Sequence, residues 1–364
     1  MQIPTYEQRS MQLLLKSPQT SSSLLSDRMY LPLHTTARLS DPVWQTAVRL
    51  VSTHGYNSLA FFALDRKKRL FFSSTGKAFI SYVLQRNVAL VIGDPIGPTQ
   101  EIALVLAEFL TFWRARHKAV AFWQGREELL DLYYAQGLHA LKIGEDTIID
   151  VQNFTLAGGK MANVRTSVRR AEKAGMRVIF YEGAVPSGTH REQMVHISQA
   201  WLARKGGSEM GFSMGRFEPD TEAGQLTALA VDQQERVHAF LTFLPIYGRN
   251  GWGLDLLRRS EQAVPGTMEL LLAHSLKHFK ACGNTIVSFG LAPLSNHNQD
   301  HISPLGRGCS LLLSHSSTFQ HFQSLTAFKR KFQPTWENRY LIFSHPVHLL
   351  QIGLALNAVH RQQC

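Results

Sequence analysis

An acid and a base set inside an apolar run are the residues of this sequence best suited to chemistry. In residues 252–259, WGLDLLRR, Asp255 and Arg258 interrupt a stretch that otherwise reads as a buried strand, where an unpaired charge is costly. A carboxylate in such surroundings can take up a proton, and a guanidinium can stabilise a developing oxyanion or hold a phosphate. The same two groups could instead form a structural ion pair. On a strand, residues at this spacing point to opposite faces, so Asp255 and Arg258 can share a site only if a bulge intervenes.

Further segments have compositions that fit ligand contact. Residues 212–217, FSMGRF, place Ser213, Gly215 and Arg216 between phenylalanines in a stretch without helix or strand periodicity, as in a binding loop. Residues 328–340, FKRKFQPTWENRY, combine Lys329, Arg330, Lys331 and Arg339 with Phe328, Phe332, Trp336 and Tyr340. Cations beside aromatics suit phosphate together with a base or an acyl chain, and they equally suit an amphipathic edge with snorkelling lysines. In AGGKMANVRTSVRRAEKAG, Arg165, Arg169 and Lys173 recur at helical spacing on one face, with Lys160 and Arg170 adjoining. That face either contacts phosphates or is solvated. GDPIGP at residues 93–98 makes a rigid turn after the apolar VALVI, either a strand-to-helix connection or a surface of N–H groups for an anion.

Several chemistries are disfavoured by what the sequence lacks. GGKM has neither the glycine spacing nor the hydroxyl residue of a nucleotide-binding P-loop, and HSLKH at His274 and His278 lacks the glutamate of a zinc-protease helix. His297 and His301 share that spacing in a loop-like stretch, and no nucleophile elbow or paired acidic motif occurs. The expectation is a reaction needing no metal and no bound cofactor. Cys282, Cys309 and Cys364 are too few and too scattered for a disulfide framework, which fits a reducing cytosol.

The elements that must position these residues read as α+β. Asp41 and Pro42 start a helix that ends at Gly55; strand-like SLAFFAL, RLFFSS, AFISYVL and VALVIG follow, then helical EIALVLAEFLTFWRARH, apolar AVAFW, helical REELLDLYYAQG and the strand LKIGEDTIIDV. Helix, strand, helix, paired strands, WGLDLL, a long helix and another strand repeat that order from residue 158. The expected organisation is a polar Ser-rich leader at 1–40, mostly antiparallel units at 41–157 and 158–345, and a C-terminal helix at 346–364. That helix has no acidic residue and is too polar to span a bilayer, so it either docks on the fold or lies on a membrane surface. No secretory signal is evident at the start. With 38 Lys and Arg against 27 Asp and Glu, a formal charge of +11, the chain should attract RNA or anionic lipid headgroups.

YNS at Tyr56, GDPIGP, YYAQG, FSMGRF, LDLLRR, PGTMELL, GLAPLS and FKRKFQPTWENRY occur in an order that resembles the catalytic region of bacterial phosphatidylglycerol lysyltransferases, the multiple peptide resistance factors, over about residues 40–345. The resemblance implies a tandem acetyltransferase-like (GNAT-type) fold. It also implies transfer of a lysyl or alanyl group from aminoacyl-tRNA to phosphatidylglycerol. Under it, Asp255 and Arg258 take the active-site positions, with Lys329, Lys331 and Arg339 nearby, and Ser213, Gly215 and Arg216 join the substrate contacts. Lys160, Arg165, Arg169 and Lys173 would hold tRNA phosphates. An aminoacyl ester is already activated, so alignment and charge handling suffice without ATP or metal. Asp255 would accept the hydroxyl proton or bind the ammonium of the amino acid, and Arg258 or Lys331 would stabilise the oxyanion or lipid phosphate. Full-length members carry a large N-terminal membrane region, with only a short polar leader here. The expectation is therefore a cytoplasmic protein, peripheral at the inner face of the membrane, that does not translocate lipid and reaches its acceptor by surface attraction or a separate membrane partner, or uses another acceptor. An acyl-CoA-dependent N-acyltransferase and a noncatalytic tRNA- or membrane-binding module are the competing readings.

Overall fold

Asp41 and Pro42 begin a helix as their types require. In the computed structural model, which describes residues 41–205, 209, 211–217, 224–293 and 317–361, the Asp41 carboxylate accepts from the Val43 N–H at 2.9 Å. The expected leader and the His297 and His301 pair lie outside the described residues. This helix, α1 (Pro42–His54), buries Ala47, Val48 and Val51, and the short α2 (Leu59–Phe62) follows. Next come β1 (Arg69–Phe72), β2 (Phe79–Gln85), β3 (Val88–Ile92), α3 (Thr99–Arg114), β4 (Ala119–Arg126), α4 (Leu130–Ala135) and β5 (His139–Asp150). The later elements are α5 (Ala162–Lys173), β6 (Arg177–Glu182), α6 (Thr189–Lys205), β7 (Leu226–Val231), β8 (Val237–Ile246), β9 (Gly251–Arg259), α7 (Thr267–Ala281), β10 (Ile286–Pro293), α8 (Ser317–Arg330), β11 (Thr335–Phe343) and α9 (Leu349–Arg361).

Among the described residues all the strands join one sheet of eleven, in the order β1-β2-β3-β4-β11-β5-β10-β9-β8-β7-β6. The repetition expected from the sequence is present in this order. Each half is an antiparallel meander whose last strand, β3 or β9, is followed by a helix and a parallel neighbour, β4 or β10. The final strands are exchanged between the halves: β5 pairs with β10, β11 pairs with β4, and β5 and β11 pair antiparallel at the centre. The fold is α+β, tandem and acetyltransferase-like, and mostly antiparallel.

Burial follows from covering both faces of the sheet. Every residue of β3 is buried, because α3 packs on one side through Val105, Leu106 and Phe109 while α9 packs on the other through Ile352 and Ala355. The C-terminal helix therefore docks on the fold. In the second half α5 and α7 pack together, with Val164 and Val168 against Leu270, Leu271 and Leu272. Among the described residues no helix is long and apolar enough to cross a membrane.

The central exchange is held by a buried ion pair. Arg339 on β11, 2% exposed, donates to Asp146 of β5 at 3.1 Å and to Glu337 at 2.9 Å, and the second oxygen of Asp146 accepts from the Ser288 hydroxyl of β10 at 2.6 Å. The Asp146→Ala variant would leave Arg339 with Glu337 as its remaining carboxylate and take the acceptor from the Ser288 hydroxyl, and urea unfolding should register a loss of about 1–3 kcal/mol.

Candidate active site

The bulge that would let Asp255 and Arg258 share a face exists. Pairing of β8 with β9 runs Phe243 to Leu254 and then Leu241 to Leu257, so β9 carries an extra residue there. Thr242, opposite the bulge, pins it: its hydroxyl accepts from the Leu256 N–H at 3.0 Å and contacts the Asp255 carboxylate at 3.3 Å. Both charged side chains then meet the segment 209–217. Gly215 donates its N–H to Asp255 at 2.8 Å, and Glu209 accepts from Arg258 at 2.7 Å. A side chain at Gly215 would collide with the Asp255 carboxylate, so glycine is what permits this approach.

The strands part beside Asp255. β10 runs parallel to β9 only over Ile286–Ser288, against Gly251–Gly253; it then bulges toward β5 between Ser288 and Leu291, with Gly290 at φ +79°. From Leu254 onward β9 has no β10 partner. Asp255 keeps partial exposure at this parting.

Burial pushes the Asp255 carboxyl up to about 6, against the lowering effects of the Gly215 N–H, the Thr242 hydroxyl and the Arg258 charge. Arg258 is 5% exposed, its guanidinium lies 3.7 Å from the Trp201 ring centre, and burial lowers its pKa. Among the described residues its Nε is buried without an acceptor, a donor that a substrate oxygen or a water would complete. Glu209, Thr242 and Trp201 are site residues that sequence reasoning missed. The signal that could have found Thr242 is a hydroxyl in an otherwise apolar strand; Glu209 and Trp201 carry no local signal.

The other expected contacts fall elsewhere. Ser213 anchors the loop, bonding Trp123 at 3.2 Å and His360 of α9 at 3.1 Å. Arg216 lies near the Asp65–Lys68 ion pair, where its charge adds to the burial that lowers the Lys68 ammonium. Lys329 is buried and donates to the carbonyls of Gly290 and Leu291 at 2.9 and 3.0 Å, and desolvation brings it down to about 8. Arg339 is held by Asp146 and Glu337, and Lys331 pairs at the surface with Glu269 at 2.9 Å. On α5, Arg165 donates to the carbonyls of Leu156 and Gly158, while Arg169, Arg170 and Lys173 are exposed, as is Lys160 just before the helix. His274 pairs with Glu172 and His278 stacks on Phe180 at 4.3 Å.

GDPIGP connects β3 to α3. Its Asp94 accepts from the Arg126 side chain at 2.9 Å and the Tyr133 hydroxyl at 2.9 Å, so a carboxylate occupies the turn. A cleft beside it is lined by His54, Tyr56, Asn57 and Arg126, and Tyr56 stacks with Arg126 and Arg249 at 4.1 and 5.0 Å.

Comparison with known proteins agrees with this arrangement of elements. The family described as "Phosphatidylglycerol lysyltransferase, C-terminal" matches residues 48–343. A phosphatidylglycerol lysyltransferase of Staphylococcus epidermidis is 29% identical over 317 residues, 86% of this chain and 37% of the relative. That of Bacillus subtilis is 30% identical over 291 residues, 79% of this chain and 34% of the relative. The chain thus spans about a third of the length of these relatives. Among solved structures, L-PGS from Bacillus licheniformis superposes with a TM-score of 0.76 at 28% identity, covering 87% of this chain and 97% of that one. The C-terminal domain of a putative lysylphosphatidylglycerol synthetase from Agrobacterium fabrum gives 0.73 at 27%, covering 87% and 96%. FemX, at 11% identity and a TM-score of 0.54, shares the fold alone. The chain belongs to the phosphatidylglycerol lysyltransferase C-terminal family.

Proposed function

We propose that this chain is an aminoacyltransferase that moves a lysyl group from aminoacyl-tRNA to a glycerol hydroxyl of phosphatidylglycerol. The observation that carries this reading is Asp255, a carboxylate raised to about 6 beside a guanidinium with an unfilled Nε, in a chain of this family. The acceptor hydroxyl attacks the ester carbonyl while Asp255 takes its proton. Arg258 stabilises the tetrahedral oxyanion through Nε. Collapse breaks the bond to the tRNA ribose oxygen, which takes the proton back from Asp255. Glu209 and Trp201 fix the Arg258 plane, and Gly215 with Thr242 fixes the Asp255 oxygens.

The exposed cations of α5 support the tRNA donor. Arg169, Arg170 and Lys173 face solvent, while Val164, Val168 and Ala171 hold the helix on the core. For a coenzyme A donor the first turn of α7, which follows β9, would have to receive phosphate, and Glu269 stands there.

Replacing Asp255 with Asn should lower kcat/KM by about 10²–10⁴, measured as radiolabelled lysyl transfer into lipid. In the unchanged protein kcat/KM should climb as pH rises through about 6, as the base deprotonates, and this limb should vanish in the Asn variant. Stability moves the other way. A carboxyl raised by folding contributes most below its unfolded value of 3.8 and loses that contribution as pH rises through about 6, so thermal unfolding of the Asn variant should show a smaller decline over that window. If Asp255 only binds the ammonium group, KM should rise with kcat and its pH limb retained.

Gly215→Ala should reduce transfer comparably to Asp255→Asn while leaving tRNA affinity unchanged, as judged by filter binding. Arg169→Ala combined with Lys173→Ala should weaken binding of all tRNA sequences and flatten the salt dependence by about one log unit per lost phosphate contact.

A further inference from the structure

Helix α9 is apolar on two sides. Ile352, Ala355, Leu356 and Val359 are buried in the core, whereas Leu350 is 75% exposed, Leu354 49%, and Val347 in the preceding turn 73%. At helical spacing these outer residues form one stripe. Tertiary contacts gather cations around it. Gln351 donates to the Arg86 carbonyl at 2.7 Å, Lys118 donates to the Asn87 side chain at 2.8 Å, and β3 and β4 start side by side at Val88 and Ala119. β11 ends opposite the start of β5, which brings in His139, His345 and His348. Arg86 is exposed, and Lys118 bonds a neutral partner, Asn87. Residues 83–90, 114–120, 136–141 and 344–354 contain no Asp or Glu.

We propose that this end of the sheet is the face by which the protein lies on an anionic lipid surface. Val347, Leu350 and Leu354 enter the boundary between headgroups and acyl chains, and Arg86 and Lys118 meet the lipid phosphates. A second copy of the chain is a poorer occupant, because a two-fold contact would set these cations against themselves with no carboxylate to receive them. The other end of α9 braces the active-site loop. His360 bonds Ser213 and packs against Phe212 and Trp123, roughly 15 Å along the helix from Leu350 at 1.5 Å per residue. The inference deepens the acceptor reading and rests on it only for the identity of the lipid.

Co-sedimentation with phosphatidylcholine vesicles, with and without phosphatidylglycerol, tests it. The protein should bind the anionic vesicles, and both Leu350→Glu with Leu354→Glu and Arg86→Ser with Lys118→Ser should weaken that binding at least about tenfold. Transfer to phosphatidylglycerol dispersed in detergent should be unchanged in both, and Asp255→Asn should bind vesicles normally while failing to transfer. Undiminished binding by both double variants would overturn the proposal. So would a dimer that the Leu350→Glu, Leu354→Glu protein dissolves with vesicle binding intact, since the stripe would then be a contact between copies. Normal vesicle binding with no transfer in detergent would instead remove the acceptor reading and leave the membrane face in place.

Discussion

Two parallel strands that begin as neighbours and then part create the place where Asp255 lies partly exposed. β9 and β10 pair only over Gly251–Gly253 and Ile286–Ser288, and the separation that follows has to be held open against the tendency of free strand edges to pair. The exchanged strands hold it. β5 stays paired with the opposite edge of β10 past the point where β9 leaves it, Thr147 and Lys329 saturate the Gly290 carbonyl at the bulge, and Asp146 binds both Ser288 and Arg339. Lys329 and Arg339 therefore set the frame of the parting by bonds to carbonyls and carboxylates within the sheet.

That frame accounts for the electrostatics of the site. Asp255 lies just past the last β9–β10 pair, where the sheet still desolvates its carboxyl but no longer covers it completely. The bulge at Thr242 turns Asp255 and Arg258 toward the same loop, and the loop answers each charge separately, with a backbone N–H for the acid and Glu209 for the base. The two groups are thereby kept from neutralising each other in a direct bond, which leaves a raised carboxyl and an unfilled guanidinium N–H side by side.

The loop that completes the site is itself held by the first half of the chain and by the C-terminal helix, through Trp123 and His360 on Ser213. A site built on the second meander is thus braced by elements far away in sequence. Helix α9 touches this brace at one end and presents its uncovered apolar stripe toward the other, so surface attachment and loop position share one rigid element.

Local sequence determined most of the elements, SLAFFAL excepted, which reads as a strand and forms the helix α2. Asp41 and Pro42 are enough to start α1, VALVI is apolar throughout because it is covered on both faces, and the meander-helix-strand order repeats because each half must bury the same kinds of faces. Charges in an apolar strand were enough to single out Asp255 and Arg258. Tertiary structure alone decided that β5 and β11 change places, that Thr242 pins a bulge, and that Glu209 rather than Asp255 bonds Arg258. These outcomes depend on pairing between segments distant in the chain, where the energy lies in which partner fills each edge and satisfies each buried charge. No periodicity within a segment records that choice.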